Sequence, residues 1–302
     1  MSKTATTQKK SSRMRRSHPI SFTLNRYGFR LFGRWLPRLM SGWALRLWSK
    51  THRFEPPPRE QRLQLRASEC SLTVNNIDIK AWSWGSGPSV LLVHGWNGRG
   101  MQLGRFIDPL LTAGYQVITF DAPGHGQSEG THTHLLQIRD VILALAKQHS
   151  DFHAAIAHSF GVAALSAAIT SGLHITNAVA ISSPGGLSKL IGRYCDSMRM
   201  PAATEQYLRK RLQQRLGAEL WEKFAHSYPL DEGIERSLIV HDKDDEWVDW
   251  QESEQLSHCW PNTELLLTEG LGHGRILRDR KLLQKVTDFI DNIAIGDALN
   301  DE

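Results

Sequence analysis

The sequence predicts an α/β fold, a mostly parallel sheet covered by helices on both faces. Two observations carry this. From residue 69 onward, short apolar runs alternate with stretches of helical period, and that rhythm supplies the long crossovers parallel strands need. One run, Val90-Leu91-Leu92-Val93, is continuously apolar, as expected of a strand buried on both faces. At 302 residues, 40% hydrophobic and 22% charged, the chain is long enough for one large core.

The elements follow in order. Residues 1–18 are polar and basic, with the composition of a disordered segment. Over residues 22–48 the sequence predicts an amphipathic helix. Arg26, Arg30, Arg34 and Arg38 recur every fourth position, and Phe29, Phe32, Leu36, Leu39, Trp43 and Leu47 mark another side. Pro37 should bend or split this helix. Tyr27, Trp35 and Trp48 add amphipathic rings, and Pro56-Pro57-Pro58 forms a stiff connector. Residues 71–74 and 77–84 flank Asn75-Asn76 as a hairpin. Strands are expected at 89–93, 115–120, 153–158, 177–182, 237–241 and 263–268. Helices are expected at 101–113, 133–149, 160–171, 249–258 and 276–293. Residues 185–232 break the rhythm, being helical and charged. The organisation read from this is a basic extension (1–66), a core (67–184 and 233–295), an inserted helical cap (185–232) and a tail (296–302).

Charge divides the chain. Residues 1–66 hold 16 of the 36 Lys and Arg but only 2 of the 31 Asp and Glu, a net +14 arm on a net −9 body. The three cysteines, Cys70, Cys195 and Cys259, are odd in number and lack metal-ligand spacing. With no secretory pattern and no window of roughly 18 apolar residues, a cytoplasmic location is expected.

Chemistry is concentrated in four places. Ala157-His158-Ser159-Phe160-Gly161 joins a strand end to a helix start, and its small flanking residues permit a sharp turn that lifts the Ser hydroxyl out of the sheet. A serine alcohol needs an adjacent base, and Gly270-Leu271-Gly272-His273-Gly274 offers His273 on a flexible loop after the last strand. An imidazole needs a carboxylate to fix its tautomer. The loop Asp242-Lys243-Asp244-Asp245-Glu246 supplies Asp245 as first choice and Asp244 as second, with Asp242 and Glu246 read as an exposed acidic turn. His94-Gly95-Trp96-Asn97-Gly98 follows the apolar strand, so the Trp96 N–H and the Phe160 N–H could meet a developing oxyanion.

The stretch from about residue 70 to 292 resembles the α/β-hydrolase superfamily, in its serine branch. The resemblance rests on these four motifs together with Asp121-Ala122-Pro123-Gly124-His125-Gly126-Gln127-Ser128. Ala157 departs from the usual first glycine, and residues 1–66 are not covered. The Gly270-Leu271-Gly272-His273-Gly274-Arg275-Ile276-Leu277-Arg278-Asp279 segment is similar to that of a little-characterised bacterial group. The resemblance implies Ser159 as nucleophile, His273 as base, Asp245 as its orienter, and Trp96 and Phe160 as oxyanion-hole donors. His125 would be a structural signature rather than a catalytic group. Residues 185–232 would be a cap whose aromatics, Tyr194, Tyr207, Trp221 and Phe224, either face the acyl pocket or pack the cap.

The expected activity is hydrolysis of a small carboxylic ester or thioester through an acyl-enzyme, with no metal or organic cofactor. Acyl transfer to another acceptor would use the same residues, and a C–C hydrolase or amidase stays open. The rival from another class is a non-catalytic, membrane-docked binding protein of the same fold. For residues 22–48 two readings stand: a helix lying on an anionic membrane surface, or one packed on the body. Nucleic acid is not an expected partner, for no base-reading motif accompanies the charge, and the sequence carries no oligomeric state.

Overall fold

The computed structural model describes residues 20–149 and 151–291. The readings for residues 1–18 and for the 296–302 tail lie outside these.

In chain order the elements are α1 (Ile20–Phe32), α2 (Pro37–Ser49), α3 (Pro58–Gln64), β1 (Ser68–Glu69), β2 (Leu72–Val74), β3 (Ile77–Ile79), β4 (Ala81–Trp84), β5 (Ser89–Val93), α4 (Ile107–Thr112), β6 (Gln116–Phe120), α5 (Leu135–His149) and β7 (Phe152–His158). There follow α6 (Phe160–Thr170), β8 (Ile175–Ile181), α7 (Leu187–Met198), α8 (Ala202–Leu216), α9 (Ala218–Phe224), β9 (Ile234–Asp242), α10 (Trp250–Ser257), β10 (Thr263–Thr268), α11 (Gly272–Arg275) and α12 (Arg280–Ile290). Eight strands form one sheet in the order β1-β4-β6-β5-β7-β8-β9-β10. It is parallel from β6 to β10, with β4 antiparallel to β6 and β1 antiparallel to β4. The predicted hairpin forms as β2–β3, turning through Asn75 and Asn76, both at positive φ, which suits Asn in a two-residue loop. Its expected second arm, 77–84, breaks at Lys80, and β4 pairs with β6 in the main sheet instead.

Strand alternation sends Leu91, Val93, Ala155 and Ala157 into one core layer and Val90, Leu92, Ala154 and Ile156 into the other. Both faces are therefore covered, which explains the unbroken apolar run in β5. The chain leaves β5 toward β6 on one side, and β7 then pairs on the other. That reversal opens a crevice at the carboxyl ends of the strands, where ligands bind in open α/β sheets.

Two expected helices are shorter than predicted. Over 101–113 a 3-10 turn (Gly100–Leu103) precedes α4. A continuous helix would put Pro109 in its interior, without its N–H bond, whereas α4 places Pro109 in a first turn. Over 276–293 the helix begins only at Arg280, because Asp279 caps it by accepting the Leu282 N–H at 2.9 Å.

Pro37 splits the N-terminal helix as expected, standing at the first turn of α2. Both halves pack on the body. Phe29, Ser41 and Ala44 are fully buried. The Thr204 hydroxyl donates to Gly33 O at 2.8 Å, and the Tyr194 hydroxyl donates to Ala44 O at 3.0 Å. Arg211 Nε donates to Ser41 Oγ at 3.0 Å. Tyr194 thus faces Trp48, with ring centroids 5.0 Å apart, and Tyr207 lies under Arg38. Phe224 is buried against Tyr228. After α2 the chain crosses the 121–133 loop: Thr51 Oγ1 donates to Gly124 O at 2.7 Å, and Arg53 donates to Ser128 O at 2.5 Å.

A chain beginning at Pro56 would expose all of this. Each large apolar side chain uncovered costs about 1.5–3 kcal/mol, against a net stability of about 5–15 kcal/mol. Calorimetry of that shortened chain should therefore show a transition lowered by many degrees, or aggregation. An unchanged transition would mean that α1 and α2 contribute nothing to the fold.

Candidate active site

Each of the four predicted motifs stands on the carboxyl side of a parallel strand. Ser159 forms the turn between β7 and α6 at φ 54° and ψ −126°, a conformation L residues rarely adopt and one that surroundings must enforce. The enforcing contacts are close. A Cβ on Gly161 would lie 2.7 Å from both Val93 O and His94 O, and one on Gly95 would lie 2.9 Å from Ser159 Cβ. Only glycine at 95 and 161 lets the loop after β5 pack against the turn. Ala157, fully buried in β7, takes the place of the usual first glycine without breaking the turn.

The structure brings Ser159, His273 and Asp245 together. Ser159 Oγ lies 3.1 Å from His273 Nε2, and His273 Nδ1 lies 2.7 Å from Asp245 Oδ2. The Asp245 side chain has no solvent exposure. Burial alone would raise its pKa, but hydrogen bonds from His241 and His273 and from the Trp247 N–H outweigh that and hold it well below the ordinary carboxylate value. Asp245 Oδ1 accepts the Trp247 N–H at 2.8 Å and the Val248 N–H at 3.1 Å. This leaves Oδ2 to face the imidazole, whose Nδ1–H it accepts. The Trp247 ring stacks on His273, with centroids 5.8 Å apart and planes at 9°.

Asp244 is exposed and plays a different part: its Oδ2 accepts the Gly270 N–H at 2.8 Å. The expectation for Asp242 was wrong. It is fully buried rather than part of an exposed turn. Its Oδ1 accepts the Gly272 N–H at 2.8 Å, and its Oδ2 accepts the Leu271 N–H at 3.0 Å and the Thr268 hydroxyl at 2.7 Å. Burial pushes its pKa up, and these donors pull it below the usual range. Asp242 therefore pins the turn that carries His273, which sits in the short helix α11 and not in open loop. Sequence reasoning also passed over His241. Its Nδ1 accepts from Ser253 Oγ at 2.6 Å, and its Nε2–H points between Val248 O and Asp245 Oδ2, each 3.2 Å away.

Two buried histidines fix the loop that carries Trp96. His94 Nε2 accepts the Ala122 N–H at 3.0 Å, so its Nδ1–H donates to Gly95 O at 2.7 Å. His125 Nε2 accepts the Asn97 N–H at 3.0 Å, and its Nδ1–H donates to Pro123 O at 3.0 Å. Asn97 Oδ1 in turn accepts the His52 N–H at 2.8 Å, which ties the N-terminal segment to this loop. Trp96 packs edge-on against both Phe160, at 5.2 Å, and His125, at 5.7 Å. Neither the Trp96 nor the Phe160 backbone N–H has an acceptor among the described residues. A third buried histidine, His158, donates from Nε2 to His273 O at 3.0 Å.

Burial keeps these three neutral: His94 is pushed down to about 4, and His125 and His158 to about 3. A depressed folded-state pKa means that the unfolded chain takes up protons first as pH falls. Stability is then complete above about pH 6.5 and is lost below it, by about 1.4 kcal/mol per pH unit for each histidine. Thermal unfolding should move to lower temperature between pH 6.5 and 4. A flat profile across that range would contradict neutral, buried imidazoles.

Chain order separates this arrangement from the other folds that assemble Ser, His and Asp: here it runs Ser, Asp, His along one parallel sheet, the order of the α/β-hydrolase class. The chain belongs to the alpha/beta hydrolase family, whose model matches residues 90–284, more than half of its length. Among the curated proteins none matches it in sequence. Solved structures share the fold at low identity. An esterase of Pyrococcus furiosus is 20% identical with a TM-score of 0.59, the match covering 81% of this chain and 97% of that one. Mouse alpha/beta hydrolase domain-containing protein 10 is 17% identical with a TM-score of 0.59, over 75% and 98%. An epoxide hydrolase of Vigna radiata is 14% identical with a TM-score of 0.58, over 76% and 98%.

Proposed function

We propose that this chain is a serine hydrolase that cleaves a carboxylic ester or thioester through an acyl-enzyme. The observation that carries the reading is the continuous relay from Ser159 Oγ through His273 to a buried, ionised Asp245. Ser159 attacks the carbonyl while His273 Nε2 accepts its proton. The imidazolium formed is stabilised by Asp245, and the proton then goes to the departing alcohol or thiol. Water, deprotonated by the same imidazole, attacks the acyl-enzyme and releases the acid. The free Trp96 and Phe160 N–H groups suit the carbonyl oxygen as it gains charge. The chain enters α7 from the carboxyl end of β8, on the side of the sheet that bears Ser159. This supports helices α7 to α9 as a cap that sets substrate size.

A fluorophosphonate probe tests the reading directly. The folded chain should label, and p-nitrophenyl esters of increasing acyl length should give a profile with one optimum. A well-folded chain that neither labels nor turns over any ester of the series would overturn it.

A further inference from the structure

We propose that α1 and α2 form a docking surface for an anionic phospholipid membrane, carried on the same helices that pack against the body. Ile20, Leu24, Tyr27 and Leu31 repeat at i, i+4, i+7 and i+11, which places them along one face of α1. That face is outside: they are 80, 65, 59 and 62% exposed, whereas Phe29 on the opposite side is fully buried. The stripe runs on through Trp35, 82% exposed, and adjoins Leu39 and Trp43 of α2, whose Trp43 Nε1 donates to Asn25 Oδ1 at 3.1 Å. An apolar face this long, left in water by a helix already docked on its other side, marks an interaction site.

Charge identifies the partner. Residues 20–50 hold Arg26, Arg30, Arg34, Arg38, Arg46 and Lys50 and no acidic residue, and residues 1–19 add six basic residues and again no acid. Arg30 lies on the edge of α1 next to the apolar stripe, and Arg34 stands in the turn that follows the helix. With Arg199 they line a cavity of about 510 Å³ between α1 and the turn into α8, and none of the three side chains has an ion pair or hydrogen bond among the described residues. Apolar side chains and rings in the acyl boundary, with guanidinium groups at the level of lipid phosphates, are how an interfacial helix binds. No described helix is long and apolar enough to cross a membrane, so the surface lies on the bilayer. The proposal uses none of the residues of the relay and stands or falls separately from the proposed activity.

The test is sedimentation of the full chain with phosphatidylcholine vesicles and with vesicles that also contain phosphatidylglycerol. Two variants accompany it, Leu31→Ser/Trp35→Ser and Arg30→Gln/Arg34→Gln, all four positions being exposed. The wild type should pellet with the anionic vesicles at low salt and be released as salt rises. Each cation near an anionic surface multiplies binding about five-fold, so the Arg variant should bind roughly 25-fold more weakly to those vesicles. The Leu/Trp variant should lose binding to both kinds. Both variants should keep the wild-type thermal transition and the wild-type turnover of a short soluble ester. A wild type that stays in the supernatant overturns the proposal. So do variants that pellet like it. It is also overturned if, without vesicle binding, the Leu/Trp variant turns a dimer into a monomer, or the Arg variant alone loses retention on a nucleic-acid column. Those results would assign the face to a second copy or to a polyanion.

Discussion

Replacing Ser159 by alanine is expected to abolish fluorophosphonate labelling and to lower ester turnover by about 10⁶-fold, since removing the nucleophile of such a relay costs about as much as removing the whole. The fold should survive. The Ser159 side chain makes one hydrogen bond to another side chain, that to His273, and the turn's positive φ is imposed by backbone contacts at Gly95 and Gly161 rather than by the hydroxyl. Alanine keeps the Cβ, so it sits in the same strained conformation and leaves the packing beneath it unchanged. Calorimetry beside the activity assay separates the two effects: a variant with the wild-type transition and no turnover assigns the chemistry to Oγ. A variant that unfolds at the same temperature and still hydrolyses the ester would sink the assignment.

What could be read in the sequence was what is local. The Ser159 turn, the glycine-flanked His273 and the acidic loop are each short patterns bound to a strand end. Their chain order then placed them along one sheet edge, where the structure brings Ser159, His273 and Asp245 into hydrogen-bonding range. What was not legible depends on contacts between distant segments. Asp242 reads as a surface acid until Gly272, Leu271 and Thr268 are seen to surround it. The His241 pairing with Asp245 is hidden among 14 histidines. The basic helix could not be divided between packing and exposure from its own pattern, because it is apolar on two sides and the burial of Phe29 depends on the body it meets. Pro109 is a local signal in the sequence, and it accounts for the broken helix before β6.

The carboxylate provides the sharper test of the relay, because two neighbouring acids must behave differently. Asp245→Asn should lower kcat by about 10⁴-fold with the fold retained. The amide introduced there can keep its oxygen on the Trp247 and Val248 N–H groups, since Asp245 Oδ1 already accepts both. Its NH₂ would then face His273 Nδ1 where Oδ2 now accepts the imidazole proton. Two donors cannot meet there, so the imidazole must turn to the tautomer with its proton on Nε2. That proton points at Ser159 Oγ and leaves no base to receive the serine proton. His241 Nε2–H would also lose its acceptor at that position and keep only Val248 O, a smaller change than the one at His273 because Val248 O can take that proton alone. Asp244→Asn is expected to cost far less, on the order of ten-fold or below. Its side chain accepts one exposed backbone N–H, that of Gly270, and an asparagine oxygen can replace it in that bond at a cost of about 1 kcal/mol. Measuring kcat for both variants, together with the pH dependence of fluorophosphonate labelling, decides between them. If Asp244→Asn is the more damaging substitution, the carboxylate that orients His273 in solution is not the one buried beside it here, and the proposed proton path must be redrawn through Asp244.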